Sequence, residues 1–288
     1  MNYLFIVASI LLLASLSGSH AAVLVIGATG RTGSLLYKEL KHRGVEDVRA
    51  LVRDVEKARA ILDCNACDPT EGIYVGDVTK LDTLMPALSG VHAVAIAAGA
   101  GMNNTNEEIK AIEFLGVQNA VRSLAQDANQ KAFNGLDNLK VVLCSSMGST
   151  WFPSNNTFGQ IIFQKLNAEA FLGSVGMTTA IVKPCGLSMS AGNNATLLAL
   201  HDDASTPTGS RSIPRADVAR VMAELVLRRS DKCNLRFDLC SIEGPATTDL
   251  DALIESAKWS WEQPTSPESE AFHAAANKHD RSTGTALL

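Results

Sequence analysis

Short apolar runs alternate along this chain with stretches in which apolar residues return every three or four positions. The first run covers 23–26 and helical spacing begins at residue 34. Further strands are predicted over 47–52, 72–75, 91–97, 140–145 and 178–182, with helices over 55–62, 81–88, 107–125, 163–173 and 215–227. The strands are apolar throughout, the mark of a parallel sheet covered on both faces. The pattern predicts one α/β domain, doubly wound and Rossmann-like, around a mostly parallel sheet. Polar stretches interrupt it at 126–137, 149–157 and 188–212. The last two follow the fifth and sixth strands, so they belong at the carboxyl edge where ligands of open α/β sheets bind.

The ends differ from this middle. Residues 4–16 are almost continuously apolar and Ser19-His20-Ala21 resembles a cleavage site, so 1–21 reads as a signal peptide or, if uncleaved, a membrane anchor. Any membrane attachment is expected through this leader alone. The domain is placed at 22–261, and 262–288, rich in Pro, Ser, Glu and Ala without periodicity, reads as a loose tail. A net charge of −5 argues against wholesale binding of nucleic acid.

An oxidising lumen would permit two local disulfides, Cys64 with Cys67 and Cys233 with Cys240, the latter flanking a short strand over 235–239. Cys144 and Cys185 read as small buried thiols. One C-x-x-C without a second pair does not make a zinc site, and no metal is expected. Sequons stand at Asn103, Asn155 and Asn194, all on the presumed ligand edge, so Asn155 at least is expected to be unmodified. The chain ends Thr285-Ala286-Leu287-Leu288, which is no ER-retention tetrapeptide.

The chemistry concentrates where the first strand meets the first helix, in Gly27-Ala28-Thr29-Gly30-Arg31-Thr32-Gly33. Glycines spaced this way after a strand and before a helix suit a turn whose N–H groups hold a pyrophosphate. Gly27 would allow the turn, Gly30 the phosphate's approach, and Gly33 the packing of helix on strand.

Together with Ala50-Leu51-Val52-Arg53-Asp54, Gly76-Asp77-Val78, Ala97-Ala98-Gly99, Ser145-Ser146-Met147-Gly148, Lys183-Pro184 and the segment from Ile213 to Ala219, this turn resembles the atypical short-chain dehydrogenase/reductase group. That is the NAD(P)-binding family that includes biliverdin and flavin reductases. The resemblance implies cofactor contacts from Gly27, Thr29, Gly30, Arg31, Thr32, Gly33, Arg53, Asp77, Val78, Ala97, Ala98, Gly99 and Lys165. An arginine about twenty residues past the glycines suits the 2′-phosphate of NADP, so NADP is favoured over NAD. Asp54 complicates this, because it can bind a ribose diol if Arg53 turns away.

Catalysis is the weak link. Reductases of the larger family use Ser, Tyr and Lys, with Tyr four residues before Lys; here Lys165 is preceded at that spacing by Ile161. The tyrosines are Tyr3, Tyr37 and Tyr74. Ser145, Ser146 and Lys165 remain as catalytic candidates, with His201 as a remoter one, and Asp217 reads as structural. A reductase of a small organic acceptor that needs no tyrosine fits best. A non-catalytic NADP(H) sensor, scaffold or assembly factor is the alternative, ahead of a nucleotide-sugar epimerase or dehydratase. The leader points to the secretory route and, since NADPH is scarce outside cells, to the ER lumen or a plastid reached through it.

Overall fold

The computed structural model describes residues 22–149, 156–201, 203, 212–228 and 234–259. The leader, Asn155, Cys233 and the tail lie outside the described residues. Ten strands run β1 (Ala22–Ile26), β2 (Val48–Val52), β3 (Ile73–Val75), β4 (Val91–Ile96), β5 (Lys140–Cys144), β6 (Thr178–Pro184), β7 (Gly186–Ser188), β8 (Thr196–Leu200), β9 (Ser212–Pro214) and β10 (Leu235–Ile242) among the described residues. The helices are α1 (Gly33–His42), α2 (Val55–Leu62), α3 (Met85–Leu88), α4 (Asn106–Lys110), α5 (Gly116–Leu124), α6 (Asp127–Ala132), α7 (Thr157–Leu172), α8 (Arg215–Leu227) and α9 (Leu250–Ser256).

Eight strands make one sheet in the order β3-β2-β1-β4-β5-β6-β10-β8. All neighbours pair parallel except β10 and β8. The chain reverses its direction of travel between β1 and β4, which puts a ligand-binding crevice outside their carboxyl ends. Central strands are buried on both faces: every residue of β1 is solvent-free. One apolar layer packs α1 and α8 on the first face, and another packs α5 and α7 on the second. This is the doubly wound α/β domain that the uniformly apolar strands predict.

Three departures matter. The helix expected over 107–125 is α4 and α5 joined by a π-helical segment, Ala111–Leu115. The polar stretch 188–212 contains β8, which extends the sheet. Cys185 is not a free thiol, and Cys240 does not flank its strand. Cys240 lies within β10, whose Leu239 sits opposite Pro184 of β6, and it is disulfide-bonded to Cys185. Cys64 pairs with Cys67 as expected, and Cys144 is free and buried, where loss of solvent pushes its thiol up.

Candidate functional site

Β1 is followed by Gly27, whose φ of +82° only glycine adopts without strain. A Cβ there would meet the Ala98 nitrogen at 2.6 Å. At Gly33 a Cβ would stand 2.1 Å from the Gly27 carbonyl oxygen. The turn is therefore wound tightly against the ends of β1 and β4 and leads into α1. It is closed by Gly30 N–H donating to the Gly27 oxygen at 2.8 Å.

Beside it lies a cleft of about 140 Å³ lined by Gly27, Thr29, Arg53, Asp77, Val78, Ala98 and Gly99, with Ile26, Leu51, Gly76 and Ile112 completing the wall. Seven of the residues singled out in the sequence thus share one crevice. Gly30, Arg31, Thr32, Gly33 and Ala97 stand in the turn and strand end around it. Asp54 caps α2, one of its carboxylate oxygens accepting from Lys57 N–H at 3.0 Å. Arg53 is left exposed at the cleft wall. Arg31 adds positive charge on the turn and, together with burial, holds the Arg215 pKa below its ordinary value.

Asp77 bonds within its own loop. Its carboxylate accepts from Thr79 N–H and from the Thr79 hydroxyl, both at 2.9 Å. Burial disfavours its charge, but these bonds and the nearby Arg53 outweigh it and hold the carboxyl below its usual range. A carboxyl lowered this way stabilises the fold above its ordinary pKa of about 3.9, and the benefit fades as pH falls through the lowered value. Asp77→Asn should therefore show a small stability deficit near neutrality that closes on acidification in a pH series of thermal melts.

Ser145, Ser146 and Lys165 stand in a second cluster, at the end of β5 and on α7. Two residues that the sequence reading missed organise it. Glu113, in the π-helical segment, is buried at 4% exposure and pairs with Lys165 Nζ at 2.8 Å. Its other oxygen accepts from Ala100 N–H at 2.7 Å, one residue beyond the cleft lining. Glu113 thus ties α7 to the cleft. Burial pushes the Lys165 ammonium toward neutrality, but Glu113 outweighs it, and the lysine's pKa is raised.

Glu169, one turn beyond Lys165 on α7, accepts from the Ser145 hydroxyl, from Ser149 Oγ at 3.1 Å and from Arg236 Nε at 2.8 Å. Ser146 Oγ donates to the Met147 carbonyl at 2.9 Å. Ile161 is buried in the place where tyrosine would stand. His201 stacks on Trp259 with ring centroids 4.0 Å apart, and Asp217 accepts from Asn193 N–H and Arg220, a structural role.

No helix among the described residues is long and apolar enough to cross a membrane. The model of the NAD(P)H-binding family matches residues 27–229. Sanguinarine reductase of Eschscholzia californica is 29% identical over 275 residues, covering 83% of this chain and 96% of that one. An uncharacterised chloroplastic protein of Arabidopsis thaliana is 32% identical, with 81% of this chain and 74% of that one covered. A putative NAD-dependent epimerase/dehydratase from Bacillus halodurans superposes with a TM-score of 0.63 at 24% identity, covering 82% and 99% of the two chains. The anaerobilin reductase ChuY of Escherichia coli does so with a TM-score of 0.57 at 19% identity, covering 79% and 100%. The last two share the fold alone. With its glycine turn, its crevice and a family match across most of its length, this chain belongs to the NAD(P)H-binding family, a reductase-like group of Rossmann-fold proteins.

Proposed function

We propose that the protein is an NADPH-dependent reductase of a small organic acceptor, working without the usual tyrosine. The observation that carries this is the crevice itself: a glycine cradle that any Cβ would fill, with Arg53 exposed on its wall and Asp54 turned away to cap α2. The cradle fits a pyrophosphate and Arg53 fits a 2′-phosphate. When bound, the reduced nicotinamide would supply hydride. Lys165, held by Glu113, would orient the cofactor's ribose, and the apolar strand ends at Ala97 and Ala98 would let it lie against backbone. That relatives include a sanguinarine reductase supports reduction as the reaction.

NADPH oxidation measured across flavins, quinones and enals tests this. Tight NADPH binding with no turnover on any of them would instead favour a non-catalytic NADP(H) sensor, scaffold or assembly factor, the reading that Ile161 in the tyrosine position supports. Arg53→Ala should weaken NADPH by about tenfold or more while leaving NADH nearly unchanged, as loss of one charge-assisted phosphate contact implies. Equal losses would refute the phosphate contact. The chloroplastic relatives in Arabidopsis support a plastid as the compartment, which we take to be reached through the secretory route by way of the leader. Imaging of the full chain with a C-terminal fluorescent tag checks this, and a cytosolic signal would oppose it.

A further inference from the structure

We propose that the loop from Cys64 to Glu71 is a redox-gated zinc site. When the Cys64–Cys67 disulfide is reduced, the two thiolates and the Glu71 carboxylate take one zinc ion. The loop joins the end of α2 to the start of β3, at the amino ends of the strands and so at the edge opposite the crevice. The site stands independently of the reductase reading above.

Cys64 Sγ, Cys67 Sγ and a Glu71 carboxylate oxygen lie within 4.8 Å of one another. Zinc bonds of about 2.3 Å to sulfur and 2.1 Å to oxygen put such atoms roughly 3.4–3.8 Å apart, with water in the fourth tetrahedral place. The cysteine Cα atoms are 5.1 Å apart, so side-chain rotation brings the freed sulfurs to that spacing. The cysteine pair alone is two ligands, and Glu71 is the third. What holds Glu71 there needs no S–S bond. One of its oxygens accepts from Cys67 N–H at 2.8 Å and from Asn65 N–H at 3.0 Å. The other has only a 3.3 Å contact from Asn65 N–H and keeps lone pairs to give. Arg59 Nε adds a bond to the Asn65 carbonyl at 3.2 Å. The loop therefore keeps its shape when the disulfide opens, and its ligands are gathered in advance. The same N–H bonds offset the charge of two thiolates and a carboxylate around one dication.

Of the two disulfides, Cys64–Cys67 is the easier to open. It links residues three apart where Cys185–Cys240 spans 55, so it removes less freedom from the unfolded chain. Cys64 is only partly buried, whereas Cys185 is 6% exposed and Cys240 solvent-free, so an incoming thiolate reaches Cys64 first. A dithiol reductant passes two electrons and two protons to the sulfurs and leaves as its own disulfide. The loop then holds two thiols. Zinc displaces both protons and forms two Zn–S bonds, which the oxidised loop has no thiolates to make. A thiolate pair selects zinc over magnesium and calcium, which prefer oxygen ligands throughout.

Zinc retention by the full chain tests the proposal. Oxidised protein and protein reduced with dithiothreitol are freed of reductant without air, given excess zinc, desalted and assayed for metal by mass spectrometry. Reduced wild type should hold about one zinc ion more than the oxidised protein. Cys64→Ser should lose that ion. Glu71→Gln should weaken it by about tenfold or more, because an amide oxygen still accepts the loop's N–H bonds but is a poor zinc ligand. Cobalt in place of zinc should give the reduced wild type a thiolate charge-transfer band that Cys64→Ser loses in large part. Equal zinc in oxidised and reduced protein, an ion that survives Cys64→Ser, or unchanged affinity in Glu71→Gln would overturn the proposal. If Glu71→Gln does not fold, the Cys64→Ser comparison decides alone. These readouts need neither cofactor nor acceptor, so a failed reductase assay leaves them standing.

Discussion

Lys165→Met should destabilise the protein by about 3–5 kcal/mol, among the largest losses available to a single side chain here. The cause is Glu113. With Lys165 present, its buried carboxylate has a cation at 2.8 Å and a backbone N–H at 2.7 Å. Without the lysine, a charge that is nearly solvent-free keeps one neutral donor. Glu113→Gln in the same chain should recover most of the loss, because the amide oxygen can still accept from Ala100 and no charge remains. Chemical denaturation of the two single variants and the double variant measures this. A double variant no more stable than Lys165→Met would mean that the lysine acts through its packing. The sign of the pH dependence separates the cases further. A lysine whose pKa is raised stabilises fully below its unfolded value of about 10.4 and loses that benefit only as pH rises through the folded value. The deficit of Lys165→Met should therefore not fade as pH rises toward about 9. NADPH affinity should fall in the same variant if Lys165 holds the ribose.

The residues of the cleft were legible in the sequence because they answer to local rules. A glycine turn between an apolar strand and a helix leaves its spacing in consecutive positions, and β1 through β6 announce themselves as short, mostly apolar runs. What was not legible depends on distant partners. Β8 is a strand because β10 lies beside it in antiparallel register, and nothing in Thr196–Leu200 alone demands that. Cys185 and Cys240 are 55 residues apart and meet because β6 and β10 are neighbours. Glu113 and Glu169 read as ordinary helix acids until the fold buries them. One signal was present for Glu169: it follows Lys165 by four, on the helical face that also carries Ile161 and Leu172. That face is apolar enough that two charges on it call for partners. Asp54 was the clearest ambiguity, and the start of α2 at Val55 gives it a local role as an ordinary N-cap.

Gly33→Ala should abolish useful NADPH binding, by about a hundredfold or more, and lower stability by about 1–3 kcal/mol. An added Cβ would lie 2.1 Å from the Gly27 oxygen, 2.7 Å from its carbon and 3.2 Å from the Ala28 nitrogen, all of them backbone. No side-chain rotation relieves such a clash, so α1 must move off the turn, and the N–H groups that face the crevice move with it. Gly44→Ala supplies the control. Gly44 has φ of +78° but nothing within 4 Å of its Cβ position, and it follows the other end of α1. Alanine there costs about 1–2 kcal/mol of backbone strain with no steric push on the turn. The two variants should thus lose comparable stability in denaturant melts while differing widely in NADPH affinity by fluorescence titration. Equal affinities would show that α1 does not set the cradle's shape. A Gly33→Ala protein that binds NADPH normally would move the pyrophosphate site away from the first turn altogether.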